Sequence, residues 1–247
     1  MVENDTEPVF IVNMLPEIPD SFKQLADDEN HSFYVVQCTD DSPLYSVQSL
    51  AGHYLQEIDM LYPDKSVHLI GYSIGGRICL EMALQKQQKD PTGPAIKSLT
   101  LIESPLPLIE RTFKSVKPGL DREMKIMKSL LNVLNLHKNI ELKKKSSEGM
   151  MKQVCDYIMQ NGDGLLESRG VVRAVQSFIQ RMNIIIDYTP EGLYKGRAII
   201  ITPEDTSDLH AQKYFVEAIK HETIQDQVLS EDSMVKIKTL LHNIIAQ

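Results

Sequence analysis

Apolar residues along the chain occur both in short continuous runs and at helical spacing. The runs PVFIVNM at 8–14 and SFYVVQC at 32–38 have the length and composition of buried strands. Residues 46–61 instead place apolar side chains three or four positions apart, which predicts an amphipathic helix. The segment 66–85 starts as a strand, turns at glycines and continues as a helix, and LTLIE at 99–103 predicts another strand. This alternation is typical of an α/β domain with a mostly parallel sheet.

The alternation stops after residue 105 and resumes near residue 196. Between these points only helical spacing is found, and six of the eleven methionines lie there: Met124, Met127, Met150, Met151, Met159 and Met182. Such flexible side chains fill irregular apolar space, whether in a helical core or along a channel for an acyl chain. We therefore expect a core formed by 1–105 and 196–247, with an inserted helical subdomain at 106–195.

The last part of the core contributes the remaining elements. GRAIIITPEDT at 196–206 predicts a strand, VEAIKHETI at 216–224 predicts another, and the closing segment 232–247 has apolar residues on one helical face.

Composition excludes several classes of protein. The chain has 247 residues, a formal net charge of −8, and no apolar run long enough to span a membrane. The negative charge argues against non-specific nucleic-acid binding. Three widely spaced cysteines suggest neither a disulfide framework nor a metal site, and the acidic N-terminus is unlike a signal peptide. We therefore expect a cytoplasmic protein.

The first chemical motif is Gly71-Tyr72-Ser73-Ile74-Gly75, a G-x-S-x-G pentapeptide between a predicted strand and a predicted helix. In this context the serine occupies a sharp, strained turn that projects its hydroxyl from the top of the sheet, and glycines two residues away avoid collision with neighbouring backbone. The Ile74 amide, at the start of the helix, would point to a developing oxyanion.

A nucleophilic serine needs a base, and the base needs an orienting acid. Glu103, at the end of the strand LTLIE, is placed for the acid. The base, a histidine, is expected in the loop between the last strand and the last helix. That stretch reads ETIQDQVLSE at 222–231 and has no histidine.

Several segments together resemble the thioesterase domain at the end of animal fatty acid synthases and related polyketide synthases. They are VVQCTDD at 35–41, SVQSLAGHYLQEI at 46–58, GYSIGGRICLEMA at 71–83, Glu103-Ser104-Pro105 in place of Asp-Gly-Ser-Pro, and DYTPEGLYKGRAIII at 187–201. The resemblance implies an α/β-hydrolase fold with a helical lid. It also implies hydrolysis of the thioester that joins an acyl chain to the phosphopantetheine arm of acyl carrier protein, with no tightly bound cofactor.

The sequence departs from that family at three places. Glu103 replaces aspartate, and the first-strand loop, usually His-Pro-x-x-Gly, reads Asn-Met-Leu-Pro-Glu at 13–17, which puts the second oxyanion amide on Leu15. The usual Gly-Asp-His segment aligns with 225–227, so Gln227, or Gln225 with another gap, stands in the place of the histidine.

Other histidines could replace the missing one. His221 lies about six residues before the expected position and would enter the site if the final strand were shorter or shifted in register. His210 is a second candidate.

Two functions follow from these features. The first is a serine hydrolase that releases a fatty acyl or polyketide chain from acyl carrier protein, working with other synthase domains; HKNIELKKKS at 137–146 is a basic segment that could help to dock an acidic carrier. The alternative is a catalytically impaired thioesterase-like domain that binds acyl chains or has a structural role in a synthase. Whether the chain is an enzyme therefore depends on the base.

Overall fold

The computed structural model describes residues 7–14, 22, 25, 31–39, 41–89, 96–104, 106–113, 115–134, 136, 140–143, 146–161, 168–203, 209–217, 219–224 and 231–245. The chain divides into two compact units. Unit 1 contains Met1–Leu108 and Tyr188–Gln247, and unit 2 contains Ile109–Asp187.

Unit 1 is built on a six-stranded sheet in which every pair of neighbours is parallel. Its strands are β1 (Val9–Asn13), β2 (Phe33–Gln37), β3 (Val67–Tyr72), β4 (Ile96–Ile102), β5 (Ala198–Pro203) and β6 (Lys220–Ile224). The spatial order is β2-β1-β3-β4-β5-β6. The strand order therefore reverses between β1 and β3, and ligands of open α/β sheets bind at such a switch point, beyond the carboxyl ends of the strands.

The described helices of unit 1 lie between its strands in the sequence or after them. They are α1 (Val47–Leu61), α2 (Gly75–Lys89), α3 (Leu106–Phe113, shared with unit 2), a 3₁₀ helix (Leu209–Tyr214) and α7 (Glu231–Ile245). Helix α1 begins with a capping box in which Ser46 and Ser49 each accept a hydrogen bond from the other's backbone N–H. Apolar side chains of α7, among them Ile237 and Leu241, are buried in one cluster with residues of β1 and β3–β6.

The described secondary structure of unit 2 is helical, as the spacing of its apolar residues predicts. They are α4 (Leu120–Val133), α5 (Ser147–Asn161) and α6 (Ser168–Asp187), with most of α3. Met127 and Met150 are fully buried in the apolar cluster that joins α4, α5 and α6. These two methionines therefore have a packing role.

The insertion is expected at 106–195, and unit 2 spans Ile109–Asp187. Residues 188–195 belong to unit 1, where Tyr188 and Tyr194 are buried. Tyr188 Oη donates to Glu81 Oε2 at 2.7 Å, and Tyr194 Oη donates to the Ile96 carbonyl at 3.3 Å. Arg77 of α2 donates to the carbonyl oxygens of Leu106 and Tyr188. The Arg77 side chain therefore binds the two segments of unit 1 that precede and follow unit 2 in the sequence.

Within the described part of the chain, none of the helices combines the length and the apolar character required to cross a membrane.

Candidate active site

The turn between β3 and α2 holds Ser73 in an unusual backbone conformation. Its φ is +51°, in the left-handed region that non-glycine residues rarely adopt. Hydrogen bonds fix the turn, because the Ser73 N–H donates to the Ile102 carbonyl at 2.9 Å and the Gly76 N–H donates to the Ser73 carbonyl at 3.2 Å. This is the strained elbow that the pentapeptide predicts, and strain of this kind is typical of functional positions.

The glycines of the elbow allow backbone segments to approach closely. A Cβ added to Gly75 would lie 2.3 Å from the Val12 carbonyl oxygen, and one added to Gly71 would lie 2.5 Å from the Cα of Gly76. Neither contact involves a side chain that could move away. A larger side chain at Gly71 or Gly75 would therefore collide with neighbouring backbone, as the pentapeptide predicts. Gly76 also has no room for a Cβ.

Ser104 is a buried residue for which the sequence patterns predict no role at the site. Its hydroxyl is close to the carbonyl oxygens of Gly71 at 3.0 Å and Ile102 at 3.2 Å, and can donate to either. A Cβ at Gly76 would lie 2.2 Å from the Ser104 Oγ, so this glycine makes room for the contact. Ser104 thus links the elbow to the end of β4. A signal was present in the sequence, since a third glycine follows the pentapeptide.

Glu103 follows β4 directly and is the second strained residue. Its φ is +45°, and its N–H donates to the Ile201 carbonyl at 2.9 Å. Because Tyr72 and Ile102 are partners in the β3–β4 register, Ser73 and Glu103 stand side by side at the carboxyl edge of the sheet. The structure therefore brings the predicted nucleophile and the predicted acid together.

The carboxylate of Glu103 is half-buried and accepts a hydrogen bond from Tyr72 Oη at 3.3 Å. Burial raises the pKa of Glu103 above the ordinary glutamate value, and the hydrogen bond from Tyr72 acts in the opposite direction. Burial and the neighbouring Glu103 together raise the pKa of Tyr72, so its hydroxyl remains a proton donor at neutral pH.

Two backbone N–H groups are predicted to stabilise the oxyanion, and one of them, that of Ile74, lies among the described residues. Ile74 precedes the first residue of α2, and its N–H donates to no acceptor among the described residues, as a donor reserved for a ligand would require. Leu15, the second predicted donor, lies outside the described residues. The residues before it, Asn13 and Met14, are buried at the end of β1.

His221 does not lie near Ser73 in the structure. It is an exposed residue of the edge strand β6, where it pairs with Ile200. Strands β4 and β5 lie between β6 and β3, so its backbone is roughly 14 Å from β3 across the sheet, at about 4.8 Å per strand. Strand β6 is shorter than the predicted 216–224, but its register leaves His221 two residues behind the level of Ser73. The register shift that would admit His221 is thus not found.

The other histidines are distributed over the chain. His68 is buried in β3, where Nδ1 lies 2.8 Å from Ser98 Oγ, and the rings of His31 and His242 lie 5.7 Å apart. His210 is in the 3₁₀ helix. The histidine-free stretch 225–230 lies outside the described residues. Within the described part of the chain, no group of three or more histidine, cysteine, aspartate or glutamate side chains could hold a metal ion.

Comparison with known proteins assigns the family. The family model for the thioesterase domain matches residues 18–172, more than half of the chain. The chain belongs to the thioesterase domain family. The polyketide synthase PksR of Bacillus subtilis (strain 168) is 33% identical over 88 residues, which make up 34% of this chain and 3% of that protein. The chain therefore spans a small fraction of this curated relative.

Several solved structures share the fold at low sequence identity. A four-domain nonribosomal peptide synthetase, bound to AMP and glycine, superposes with a TM-score of 0.77 at 13% identity, over 96% of this chain and 19% of that one. The NocB thioesterase domain, in covalent complex with a fluorophosphonate nocardicin G analogue, gives 0.65 at 16% identity over 99% and 97%. RedJ thioesterase from the prodiginine pathway of Streptomyces coelicolor gives 0.64 at 11% identity over 96% and 90%. With the parallel sheet flanked by helices, these likenesses identify the expected α/β-hydrolase fold.

Proposed function

We propose that this thioesterase-family chain releases an acyl chain from a carrier-bound thioester through an acyl-enzyme on Ser73. The observation that carries the proposal is the pair of strained residues, Ser73 at the end of β3, which borders the switch point, and Glu103 at the end of the adjacent strand β4. Each such conformation costs on the order of 1–3 kcal/mol. In the described part of the chain these are the only non-glycine residues with positive φ, so the strain is confined to the two predicted catalytic positions.

The chemistry follows from these positions. The Ser73 Oγ attacks the thioester carbonyl carbon, a base takes the hydroxyl proton, and the pantetheine thiolate leaves and is protonated. The Ile74 N–H, with Leu15 as the second donor, stabilises the oxyanion, and Glu103 orients the protonated base. Water then attacks the acyl-enzyme, which frees the carboxylic acid and restores the Ser73 hydroxyl.

The substrate proposal draws on the relatives. Polyketide and nonribosomal peptide synthases are among them, so we propose that the acyl group is a fatty acyl or polyketide chain. It would be carried on the phosphopantetheine of an acyl carrier protein and delivered with other synthase domains in the cytoplasm. The animal fatty acid synthase subtype remains a prediction from the quoted segments.

The second candidate function is binding of acyl chains, or a structural role, without turnover. Two observations favour it: the stretch 222–231 contains no histidine, and His221 lies three strands from Ser73. Glutamine takes no proton at neutral pH. Loss of the histidine from a serine triad lowers turnover roughly a million-fold.

Hydrolysis of a long-chain acyl-pantetheine thioester tests both functions. We expect wild-type turnover that Ser73→Ala abolishes and His221→Ala preserves, because the exposed His221 is remote from the serine. His210→Ala then shows whether that residue is the base. Loss of turnover in both Ser73→Ala and His221→Ala would contradict the described register of β6.

A wild type no faster than Ser73→Ala would support the binding function instead. In that case Gln227→His, which puts a base at the aligned family position, is expected to create turnover, with Gln225→His as the matched control for the alignment. A wild type with rapid turnover that needs neither Ser73 nor any histidine would overturn the proposed mechanism.

A further inference from the structure

We propose that Tyr72 is a positioning residue that holds the carboxylate of Glu103 at the candidate active site, an inference that rests on the proposed function. Tyr72 is the last residue of β3 and directly precedes Ser73. Its Oη lies 3.3 Å from Glu103 Oε2. The residue before the nucleophile thus contacts the acid on the neighbouring strand.

The ring of Tyr72 is held by its surroundings. It is buried among apolar residues of the sheet and α7, and the centroid of the Phe22 ring lies 5.0 Å away with an interplanar angle of 59°. Successive strand side chains point to opposite faces. Tyr72 therefore lies on the face opposite the contact between Gly71 and Gly76, and its hydroxyl has a fixed direction.

Burial of the two side chains favours the hydrogen bond between Tyr72 and Glu103. Tyr72 is 6% exposed, and a buried tyrosine hydroxyl requires a hydrogen-bond partner. Among the described residues, Glu103 is the partner that it has. A hydrogen bond to a charged group is worth more than one between neutral groups, so this contact offsets part of the cost of burying the carboxylate.

The contact also gives a reason for glutamate at this position. Only Oε2 of Glu103 is engaged by Tyr72, which leaves the other carboxylate oxygen to orient a base. An aspartate at the same backbone position would withdraw the carboxylate by about 1.5 Å, the length of one carbon–carbon bond. Because the contact is already 3.3 Å long, we expect the hydroxyl of Tyr72 then to lie beyond hydrogen-bonding distance. Tyr72 and Glu103 therefore form a matched pair.

Tyr72→Phe is the decisive variant, because it keeps the ring and its packing and removes only the hydroxyl. The first readout is the pKa of Glu103, followed by NMR of ¹³C-labelled glutamate carboxyl groups and assigned with Glu103→Gln. We expect Tyr72→Phe to raise that pKa, because a donor to the ionised form is lost. Tyr188→Phe is the matched control, since it removes a buried tyrosine hydroxyl that donates to a different carboxylate, Glu81. It should leave the pKa of Glu103 unchanged.

The second readout is the pH profile of kcat/KM. Tyr72→Phe should lower kcat/KM about tenfold at neutral pH and move the acidic limb upward, whereas a purely structural role would leave the limb in place. In a Glu103→Asp background, where the contact is already lost, Tyr72→Phe should cause no further change.

The two readouts distinguish failure of the positioning role of Tyr72 from failure of the proposed function. Without wild-type turnover, a raised pKa of Glu103 in Tyr72→Phe would support the contact and count against the proposed function. An unchanged pKa of Glu103 in folded Tyr72→Phe would overturn the positioning role, whatever the activity.

Discussion

Two regions at opposite ends of strands β3 and β4 each bring together a serine and a carboxylate, and they differ in backbone conformation and solvent access. At the carboxyl end are Ser73 and Glu103. Toward the amino end are Ser98 and His68, with Glu7 beside them: His68 Nδ1 lies 2.8 Å from Ser98 Oγ, and His68 Nε2 lies 3.5 Å from Glu7 Oε2. The second region therefore has the three residue types of a serine triad already in contact.

The amino-end group nevertheless has the properties of a structural network. His68 and Ser98 are partners in the β3–β4 pairing, next to a register shift between Val67 and His68. They are 3% and 2% exposed, so a substrate has no access to the serine. Burial lowers the pKa of His68, with Glu7 acting in the opposite direction. Lys97 also contacts Glu7, at 3.0 Å.

The difference lies in the backbone and the position in the fold. Ser73 and Glu103 have φ values of +51° and +45° and stand at the carboxyl ends of β3 and β4, whereas Ser98 and His68 lie within these strands. A triad is recognised by geometry and roles. A serine that contacts a histidine in the middle of a sheet satisfies a buried polar group, and a strained serine at a strand end is available to a ligand.

A serine-directed label distinguishes the two regions most directly. A fluorophosphonate with a long alkyl chain should modify Ser73 and leave Ser98 unmodified, because only Ser73 is at an accessible elbow. Peptide mapping by mass spectrometry gives the site. Ser98→Ala should be labelled at the wild-type rate and Ser73→Ala not at all. Modification of Ser98, or of neither serine, would contradict the assignment.

The elbow itself should be the most sensitive position for stability. We expect Gly75→Ala to lower the free energy of unfolding by about 3 kcal/mol or more, because the new Cβ would lie 2.3 Å from the Val12 carbonyl oxygen. Gly52→Ala is the control: its Cβ would lie 3.3 Å from the end of the Gln85 side chain, and alanine favours helix α1. Urea denaturation measures both, and a Gly75→Ala protein as stable as Gly52→Ala would show that the elbow is loosely packed.

Removal of the amino-end contact should affect stability without affecting activity. Ser98→Ala leaves the buried Nδ1 of His68 without this partner and should lower the free energy of unfolding by about 1–3 kcal/mol. Ser129→Ala, which removes a hydroxyl bonded to the Lys125 carbonyl in helix α4, should change it by less than about 0.5 kcal/mol. Thermal or chemical denaturation measures the difference. Unchanged stability in Ser98→Ala would show that the contact between His68 and Ser98 does not stabilise the fold.

The smallest expected effect concerns the strained acid. Because burial raises the pKa of Glu103, the folded state binds a proton more tightly than the unfolded state. The stability from that proton is present below the ordinary value of 4.5 and is lost as pH rises through the raised pKa. Glu103→Gln should therefore gain stability relative to wild type at neutral pH, with the gain disappearing in acid.

Melting temperatures from pH 4 to pH 8 test this expectation. Glu57→Gln, at an exposed position of helix α1, is the matched control and should follow the wild-type curve. If Glu103→Gln is destabilised equally at every pH, the carboxylate at position 103 contributes favourable contacts that exceed the cost of its burial.

Local patterns were sufficient to predict much of the fold. The strand runs, the helical spacing and the G-x-S-x-G turn depend on residues close together in the sequence. The parallel α/β fold, the helices between β4 and β5 and the strained turn at Ser73 could therefore be predicted. Glu103 could also be predicted, because the end of a parallel strand fixes which edge of the sheet the next residue occupies.

Contacts between residues distant in the sequence could not be predicted from local patterns, because they depend on the tertiary structure. His221 lies near the expected loop in sequence, but strand order and register put it three strands from Ser73. The contact of Tyr72 with Glu103, the position of Ser104 and the pairing of His68 with Ser98 likewise depend on how β3 and β4 align. A shift of one residue in that register would move these side chains to the other face, and no local pattern specifies it. The sequence alone thus determined which elements form and where the serine stands, while the alignment of neighbouring strands decided which side chains meet it.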